Sequence, residues 1–257
     1  MRHESGAPPN WGRKYFESGG GDAGLLYVVF GDFPQPMKLD AARYRTNGAP
    51  EGTKLSAYGR DQHGDFVRSF YEGWLGRSLR DENPALFAAV EQAPTCLLLR
   101  GTVPDPPDIG YLRDAVGLLM SLLNNGGVAL VDCAAFAWFS PQQWKEKIFE
   151  PNASIPRAHV SILVSTEDGG AGVWVHTRGL RKFGRPDLSL RGVPPQLQGA
   201  CIELCNRFIE MLAFGAHVPE GQAVRIQGLP AGMTCHHEGD YDDPDFNNVH
   251  IEIRPPW

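Results

Sequence analysis

The chain has 257 residues, a hydrophobic content of 42% and a formal net charge of -6 at pH 7. This acidic balance argues against general nucleic-acid binding, because such binding needs a dense basic field. No apolar run approaches the roughly 18 residues that cross a bilayer, and residues 1–11 lack the apolar centre of a secretory signal. Five cysteines without a repeated spacing are typical of reduced, mostly buried thiols, so we expect a cytoplasmic protein without membrane attachment.

Composition divides the chain into a short tail and one folded region. Residues 1–22 are polar and end in a glycine-rich run. They bury too little apolar surface to offset the entropy cost of ordering, so we predict a flexible N-terminal tail. Residues 23–257 are predicted to form a single domain, and two subdomains that meet near 150–158 are an open alternative.

The first half of the folded region alternates strands with helices. The apolar run 25–30 predicts a buried strand. Phe66, Phe70 and Trp74 recur at four-residue spacing, which indicates one helix with an aromatic face. The segment 37–59 is glycine-rich and gives no clear pattern. Further strands are predicted at 96–100 and 128–131, and a further helix is predicted at 108–123.

Capping signals in the sequence predict two other helices. Asn83 precedes Pro84, which places an N-cap residue before a first-turn proline. Ser140 is followed by Pro141 and then by Gln143, the spacing of a capping box. We therefore predict helices at 84–92 and at 141–149.

The second half of the chain is richer in strands. Apolar residues recur at helical spacing over 196–213, which predicts an amphipathic helix with one apolar stripe. Cys201 and Cys205 lie one turn apart on this stripe, so we predict that both cysteines are buried. A polar loop is predicted at 235–248. Strands are predicted at 159–166, 172–176, 187–190 (at a sheet edge), 223–227 and 249–254. The predicted class is α+β, with a mixed, largely antiparallel sheet and helices packed mainly on one of its faces.

The most distinctive segment is 173–188, which reads VWVHTRGLRKFGRPDL. Thr-x-Gly-Leu is followed by Phe-Gly-x-Pro-Asp over residues 177–187, directly after a strand that contains Trp174. This pattern resembles an uncharacterised bacterial domain-of-unknown-function family, and residues 127–141 show the strand and capped helix of that family in the same order. The resemblance implies a fold and a bacterial source, and it implies no reaction.

The same segment has a physical interpretation that does not depend on any family. Gly179 and Gly184 permit backbone angles or close approaches that a side chain would block. Leu180 and Phe183 are three residues apart, so one helical turn directs both into the core. Pro186 holds the residue before it in an extended conformation. We therefore predict a bend that joins two strands of the sheet.

Four cations lie along this bend, namely Arg178, Arg181, Lys182 and Arg185. In one interpretation the bend is only a folding device and its cations remain in solvent. In the other, the cations form a rim around an exposed turn and bind an acidic protein partner or a phosphate group. Both interpretations expect these side chains to lie outside the core.

The densest group of metal-ligand residue types is Cys-His-His-Glu-Gly-Asp at 235–240. Neighbouring residues of an extended chain point to opposite sides, so His236 shares a side with Glu238, and His250 shares a side with Glu252. If the two segments are adjacent strands, these four residues form a site for a divalent metal such as zinc. The alternative is a solvated loop with half-buried imidazoles.

The acidic run 240–245 resembles the start of a calcium loop, but its sixth position is Asp245 and its twelfth is Ile251, so we reject an EF-hand. An acidic surface loop remains, which is suited to a basic partner or to the chain's own cations at 178–185.

The functional prediction rests mainly on what the sequence lacks. It contains no Gly-x-Ser-x-Gly elbow, P-loop or dinucleotide-binding fingerprint, and we expect no cofactor apart from the divalent metal of the alternative below. The preferred hypothesis is a non-catalytic binding or interaction protein of a bacterial cytoplasm, of an accessory or immunity type. The open alternative is a metal-dependent hydrolase that uses His236, Glu238, His250 and Glu252.

Overall fold

A computed structural model describes residues 11–34, 36–151, 154–167 and 172–254. The strands are β1 (Ala23–Gly31), β2 (Thr53–Gly59), β3 (Thr95–Val103), β4 (Gly127–Asp132), β5 (Ala137–Phe139), β6 (Ser161–Thr166), β7 (Val173–Arg178), β8 (Asp187–Val193), β9 (Ala223–Val224), β10 (Met233–Glu238) and β11 (His250–Arg254). The α-helices are α1 (Ala41–Tyr44), α2 (Arg60–Ser69), α3 (Gly73–Glu82), α4 (Pro84–Gln92), α5 (Gly110–Asn124), α6 (Pro141–Trp144), α7 (Pro156–His159) and α8 (Gln198–Ala213). A π-helical turn covers Lys145–Phe149, and 3₁₀ turns cover Leu180–Phe183 and Pro195–Leu197.

The first sheet has the order β2-β3-β1-β4-β5, and all of its neighbours are antiparallel. Its central strand, β1, is covered on both faces. Val28 and Phe30 pack against helices α2, α3 and α4, whereas Leu25, Tyr27 and Val29 pack against α5 in the larger core. Burial on both faces explains why this strand is apolar almost throughout instead of alternating with polar residues.

The second sheet has the order β6-β7-β8-β11-β10-β9, in which only the β8–β11 pair is parallel. Helix α8 packs on its inner face, where Leu188, Leu190 and Ile251 meet the predicted apolar stripe. Cys201 and Cys205 are buried there, and all five cysteines are free thiols, so the prediction of packed, reduced cysteines is confirmed. The predicted α+β class is also confirmed, with two sheets in place of one.

The larger hydrophobic core contains residues of both sheets, for example Tyr27 of the first and Leu188 of the second. Helix α5 contributes Leu112 and Leu119 to the same core. The two sheets therefore meet along a buried junction, and the bend at 177–187 lies at this junction. No helix in the described part of the chain combines the length and apolar character that a membrane span requires.

The capping predictions are confirmed. The Asn83 side chain accepts a hydrogen bond from the backbone N–H of Leu86 at 3.1 Å, and α4 begins at Pro84. At α6, Ser140 and Gln143 form both reciprocal hydrogen bonds of a capping box. These interactions span only three residues, which is why the sequence alone predicts them.

The predicted aromatic helix through Phe66, Phe70 and Trp74 is wrong. Helix α2 ends at Ser69, and Gly73 has a φ of 78°, so a second helix, α3, begins there in a new direction. Phe66 and Trp74 remain 39% and 54% exposed. A left-handed glycine thus interrupts a spacing that resembles one continuous helix.

Two strand predictions need correction. The segment that begins at Asp187 is not an edge strand, because β8 lies between β7 and β11. The predicted loop 235–248 begins inside β10, where Met233 and Cys235 face the core and are fully buried. Pairing with β11, the next strand of the chain, orders this polar segment.

The prediction of a loose tail over residues 1–22 fails at Trp11 and Arg13, which are both buried. Arg13 donates a hydrogen bond of 2.5 Å to Asp105 and another of 2.8 Å to the carbonyl oxygen of Phe183. Residues 1–10 lie outside the described residues. The segment that follows them is therefore attached to the junction between the two sheets.

Candidate functional site

The segment 177–187 forms the predicted bend. Strand β7 ends at Arg178, a 3₁₀ turn buries Leu180 and Phe183 completely, and β8 starts at Asp187. Gly184 has a φ of 62°, and a Cβ atom there would lie 2.1 Å from a backbone carbonyl oxygen of residue 21. Glycine is required at this position both by its left-handed conformation and by this close approach.

The prediction that the cations of the bend lie outside the core is wrong for three of the four. Arg178, Lys182 and Arg185 are 6%, 0% and 2% exposed, respectively, while Arg181 is half-buried. No exposed cationic rim therefore exists. Burial of a charge needs a partner that compensates for lost hydration, and the buried cations differ in whether they have one.

Lys182 has a dedicated carboxylate. Its Nζ forms a buried ion pair with Asp132 at the end of β4. The backbone N–H of Ala135 donates a further hydrogen bond to Asp132 at 3.1 Å, and the Tyr111 hydroxyl donates to the carbonyl oxygen of Lys182 at 2.7 Å. Burial raises the pKa of Asp132, and the adjacent Lys182 opposes that rise. Lys182 therefore connects the two sheets and is not available to a ligand.

Arg185 is also fully committed. Its Nη1 lies 3.0 Å from Asp105, the carboxylate that Arg13 contacts as well. The same guanidinium donates hydrogen bonds to the carbonyl oxygens of Gly215 at 2.8 Å and Ala216 at 3.2 Å. These contacts hold the bend against the end of α8 and the N-terminal segment, so Arg185 has a structural role.

Arg178 has no such partner. Within the described residues its side chain donates no hydrogen bond and forms no ion pair; its Nε and Nη1 atoms are completely buried, whereas Nη2 is not. Its guanidinium carbon lies 4.9 Å from the ring centre of Phe136 and 4.6 Å from that of Phe246, which makes both rings cation–π partners. Burial lowers the pKa of Arg178, and the charges of Asp187, Asp245 and Asp243 oppose this fall. Buried donors without acceptors are rare in native proteins and require an explanation.

The two aromatic partners of Arg178 line a cavity of about 500 Å³ at the junction of the sheets. Strand β1 contributes Leu25 and Leu26 to its wall, and the polar or charged wall residues include Arg181 and Asp187. Gly24 lies beside Arg181, and a Cβ atom there would be 2.8 Å from the Arg181 Nε. The sequence predictions contain no hint of this cavity.

Backbone strain is concentrated at the same place. Among the described non-glycine residues, only Arg45, Phe136 and Asn247 have positive φ, and the last two line the cavity. Asparagine tolerates this conformation, whereas a phenylalanine with a φ of 54° is unusual. Strained backbone of this kind costs about 1–3 kcal/mol and is frequent at functional sites.

Asp187 places a carboxylate in the cavity wall without an ion-pair partner. Its Oδ1 accepts hydrogen bonds from Thr177 Oγ1 at 2.9 Å and from the backbone N–H of Leu180 at 3.2 Å, and its Oδ2 accepts one from Asn248 Nδ2 at 2.8 Å. Burial raises the pKa of Asp187, while these hydrogen bonds and then the Arg178 charge oppose the rise. Neutral donors thus hold this carboxylate in position.

Two histidines flank Phe246 and support its position over Arg178. His250 stacks on Phe246 with ring centres 4.2 Å apart, and His176 meets the same ring edge-on at 5.9 Å. Burial, followed by the neighbouring Arg178 charge, lowers the pKa of His176 to about 4. His176 is therefore neutral at neutral pH and adds no charge to the site.

The predicted metal ligands share one sheet face, but the structure does not bring them together. Strands β10 and β11 pair as the hypothesis required, with His236 opposite Glu252 and Glu238 opposite His250. The His236 Nδ1 contacts Glu220 at 2.6 Å, and Glu238 accepts a hydrogen bond from Arg254 at 2.5 Å. Nowhere in the described chain do three or more His, Cys, Asp or Glu side chains form a group that could hold a metal ion. His236 and Glu238 have other polar partners instead.

The acidic loop contacts the cations of the bend, although not through its carboxylates. Arg181 donates a hydrogen bond of 2.5 Å to the carbonyl oxygen of Asn247 and lies 4.8 Å from the ring centre of Tyr241. Asp245 forms an ion pair with Arg191 at 3.3 Å. The loop therefore closes the cavity with aromatic and backbone groups. Sequence reasoning missed Phe136 and Phe246 because neither lies near Arg178 in the chain.

The fold and this geometry place a cavity beside the two rings that cover Arg178, a buried cation with no hydrogen-bond acceptor among the described residues. Comparison with protein families, with curated proteins and with solved structures finds nothing that matches this chain. The resemblance of residues 177–187 to a bacterial family therefore stays a prediction.

Proposed function

We propose that this chain is a non-catalytic binding protein and that its ligand carries an oxyanion, a carboxylate or a phosphate, which pairs with Arg178. The ligand occupies the cavity at the junction of the two sheets. An accessory or immunity-type role in a bacterial cytoplasm, as the sequence predicts, belongs to the same proposal. The observation that carries it is the Arg178 guanidinium, which lacks an acceptor among the described residues and lies behind Phe136 and Phe246, two wall residues of a cavity of about 500 Å³.

Energetics support a ligand in this position. Two cation–π contacts contribute about 0.5–2 kcal/mol each, whereas leaving a charge buried and unpaired costs several kcal/mol. The free protein therefore bears a cost at Arg178 that an oxyanion removes through charge-assisted hydrogen bonds. At Lys182 and Arg185 this cost is offset, because Asp132 and Asp105 lie within ion-pair distance and Arg185 also donates to backbone carbonyl oxygens.

The cavity wall favours binding over catalysis. Cys133 is its only thiol, and burial raises the pKa of that thiol to about 12, so it is protonated and weakly nucleophilic at neutral pH. No histidine belongs to the described wall that could activate Cys133 or Thr102. The Asp187 carboxylate accepts three hydrogen bonds and is poorly placed to act as a general base.

A ligand titration with matched variants tests this proposal. Wild-type protein, Arg178→Met and Arg207→Met are titrated with a panel of monocarboxylates and phosphate esters, by thermal shift and by calorimetry. Arg207 is the control because it is a surface arginine of α8 whose ion-pair partner among the described residues is Glu203 alone. A ligand at one hundred times its Kd should stabilise wild type by about 2.7 kcal/mol, which is a Tm increase of about 5–10 °C.

The variants decide whether binding occurs at Arg178. Loss of a charge-assisted hydrogen bond costs about 1.5–3 kcal/mol, so Arg178→Met should weaken binding by roughly ten- to one-hundred-fold while Arg207→Met binds like wild type. If no oxyanion of the panel binds wild type, or if Arg178→Met binds as tightly as wild type, the proposal is wrong.

A further inference from the structure

We infer that the oxyanion is a single carboxylate attached to an apolar body of about the size of a phenyl ring or a branched alkyl chain. This inference rests on the proposed function and specifies its ligand class. Three features of the cavity lead to it, namely its apolar wall, its charge balance and the absence of free cations for a second negative charge.

The wall of the cavity is largely apolar. Leu25, Leu26, Ala134, Phe136 and Phe246 line it, and only a few polar groups interrupt this surface. Apolar walls with few, well-placed polar groups are typical of sites for small organic molecules. A bare inorganic ion would leave most of this surface in contact with water, whereas an apolar body buries it at about 25 cal/mol per Å².

The charges at the cavity match a ligand with one negative charge. Arg178 and Arg181 are positive, and Asp187 in the wall is negative, which leaves one positive charge for the ligand to neutralise. His176 is neutral at neutral pH. In the acidic loop, Asp245 is paired with Arg191, whereas Asp243 keeps its negative charge and acts on Arg178, which disfavours a second negative charge on the ligand. A carboxylate carries one charge, whereas a phosphate monoester carries about 1.5 to 2 at pH 7.

The groups that bind phosphate elsewhere are not available here. Lys182 and Arg185 belong to the same bend but are committed to Asp132 and Asp105. The one helical turn at the described cavity wall, Leu180–Phe183, is only four residues long, so it provides no helix dipole of useful strength. A second negative charge on the ligand would therefore exceed the single net positive charge that Arg178, Arg181 and Asp187 leave at the cavity.

Four probes in wild-type protein separate the possibilities: phenylacetate, its neutral analogue phenylacetamide, phenyl phosphate and inorganic phosphate. Calorimetry should show that phenylacetate binds at least roughly tenfold more tightly than each of the other three, since charge and apolar body are both required. Arg178→Met should abolish this preference over the amide. Asp187→Asn keeps the size of the side chain and removes its charge, so phenyl phosphate should gain affinity relative to phenylacetate.

Failure of this inference differs from failure of the proposed function. If phenyl phosphate or inorganic phosphate binds more tightly than phenylacetate, and this binding needs Arg178, the carboxylate assignment is overturned and the binding function stands. Equal binding of phenylacetate and phenylacetamide also overturns the assignment. If none of the four probes binds in an Arg178-dependent manner, the inference fails, and the wider oxyanion panel then decides the proposed function separately. The comparison of ligands in wild type does not depend on whether Asp187→Asn folds.

Discussion

Replacing Arg178 by methionine should stabilise the free protein, although Arg178 is buried. The side chain makes no hydrogen bond or ion pair with the described residues, so its removal leaves no hydrogen-bond partner unsatisfied. The nearby Asp187 carboxylate loses the attraction of the Arg178 charge but keeps its three neutral donors. Methionine is unbranched and flexible, and it retains apolar contact with Phe136 and Phe246. Most buried arginines behave in the opposite way, because their removal leaves a buried carboxylate uncompensated.

The magnitude follows from two opposing contributions. Burial of an unpaired guanidinium costs several kcal/mol, and two cation–π contacts return about 0.5–2 kcal/mol each. The variant loses both contributions, so we expect its free energy of unfolding to rise by about 1–2 kcal/mol. At about 2–4 °C per kcal/mol for a chain of this size, Tm should increase by about 2–8 °C.

Arg185→Met is the matched control from the same bend. Arg185 is as buried as Arg178, but it pairs with Asp105 and donates to several backbone carbonyl oxygens. Its replacement should lower the free energy of unfolding by about 3–5 kcal/mol. Urea denaturation of both variants without ligand, followed by fluorescence and circular dichroism, measures the two changes under identical conditions.

One result would refute the reasoning about Arg178. A loss of more than about 2 kcal/mol in Arg178→Met, comparable to the loss in Arg185→Met, would assign Arg178 a structural role. The inference that a ligand supplies its missing acceptor would then have no basis. A gain in stability together with a loss of ligand affinity is the combination that the cavity predicts, since functional sites often reduce stability.

Three other predictions test the surrounding structure. Lys182→Met should lower the free energy of unfolding by about 3–5 kcal/mol in urea denaturation. The double variant Lys182→Met, Asp132→Asn should recover part of this lost stability, because it removes the uncompensated carboxylate. No recovery would argue against the buried ion pair. Gly184→Ala should lower the free energy of unfolding by at least about 2 kcal/mol, because the new Cβ atom clashes with backbone. Gly192 has a similar φ of 61°, but a Cβ atom there meets no atom within 4 Å, so Gly192→Ala should cost only the backbone strain of about 1 kcal/mol. Equal losses of stability in the two variants would contradict the clash. Burial lowers the pKa of His159 to about 3 from 6.5. The unfolded state therefore binds more protons between these values, and stability should fall as the pH drops below about 6.5, by up to about 1.4 kcal/mol per unit. His159→Phe should flatten this pH dependence in urea denaturation, and an unchanged slope would show that other groups cause it.

Local features of the fold were predictable because their interactions span a few residues. The caps at Asn83 and Ser140 and the apolar stripe of α8 each depend on neighbours within one or two turns. The bend at 177–187 was predictable for the same reason, because Gly179, Gly184 and the short turn between them determine it. The aromatic helix failed where one left-handed glycine, Gly73, interrupted a regular spacing.

The candidate metal site shows which part of a site a local sequence pattern predicts and which part it does not. The sequence predicted that His236 and Glu238 share a face and that a neighbouring strand supplies His250 and Glu252. Strands β10 and β11 do pair in this way. The pattern does not show which other residues bind these side chains. In the structure, Glu220 contacts His236 and Arg254 contacts Glu238.

By itself, the sequence determined the α+β class, the capped helices, the buried cysteines of α8 and the bend that carries four cations. Only the tertiary structure decided which of those cations has an acceptor. Lys182 and Arg185 find carboxylates 50 and 80 residues away, and Arg178 finds two aromatic rings and a cavity. The physical reason is that hydration and pairing of a charge depend on groups that the fold brings close, and along the chain these four side chains look alike.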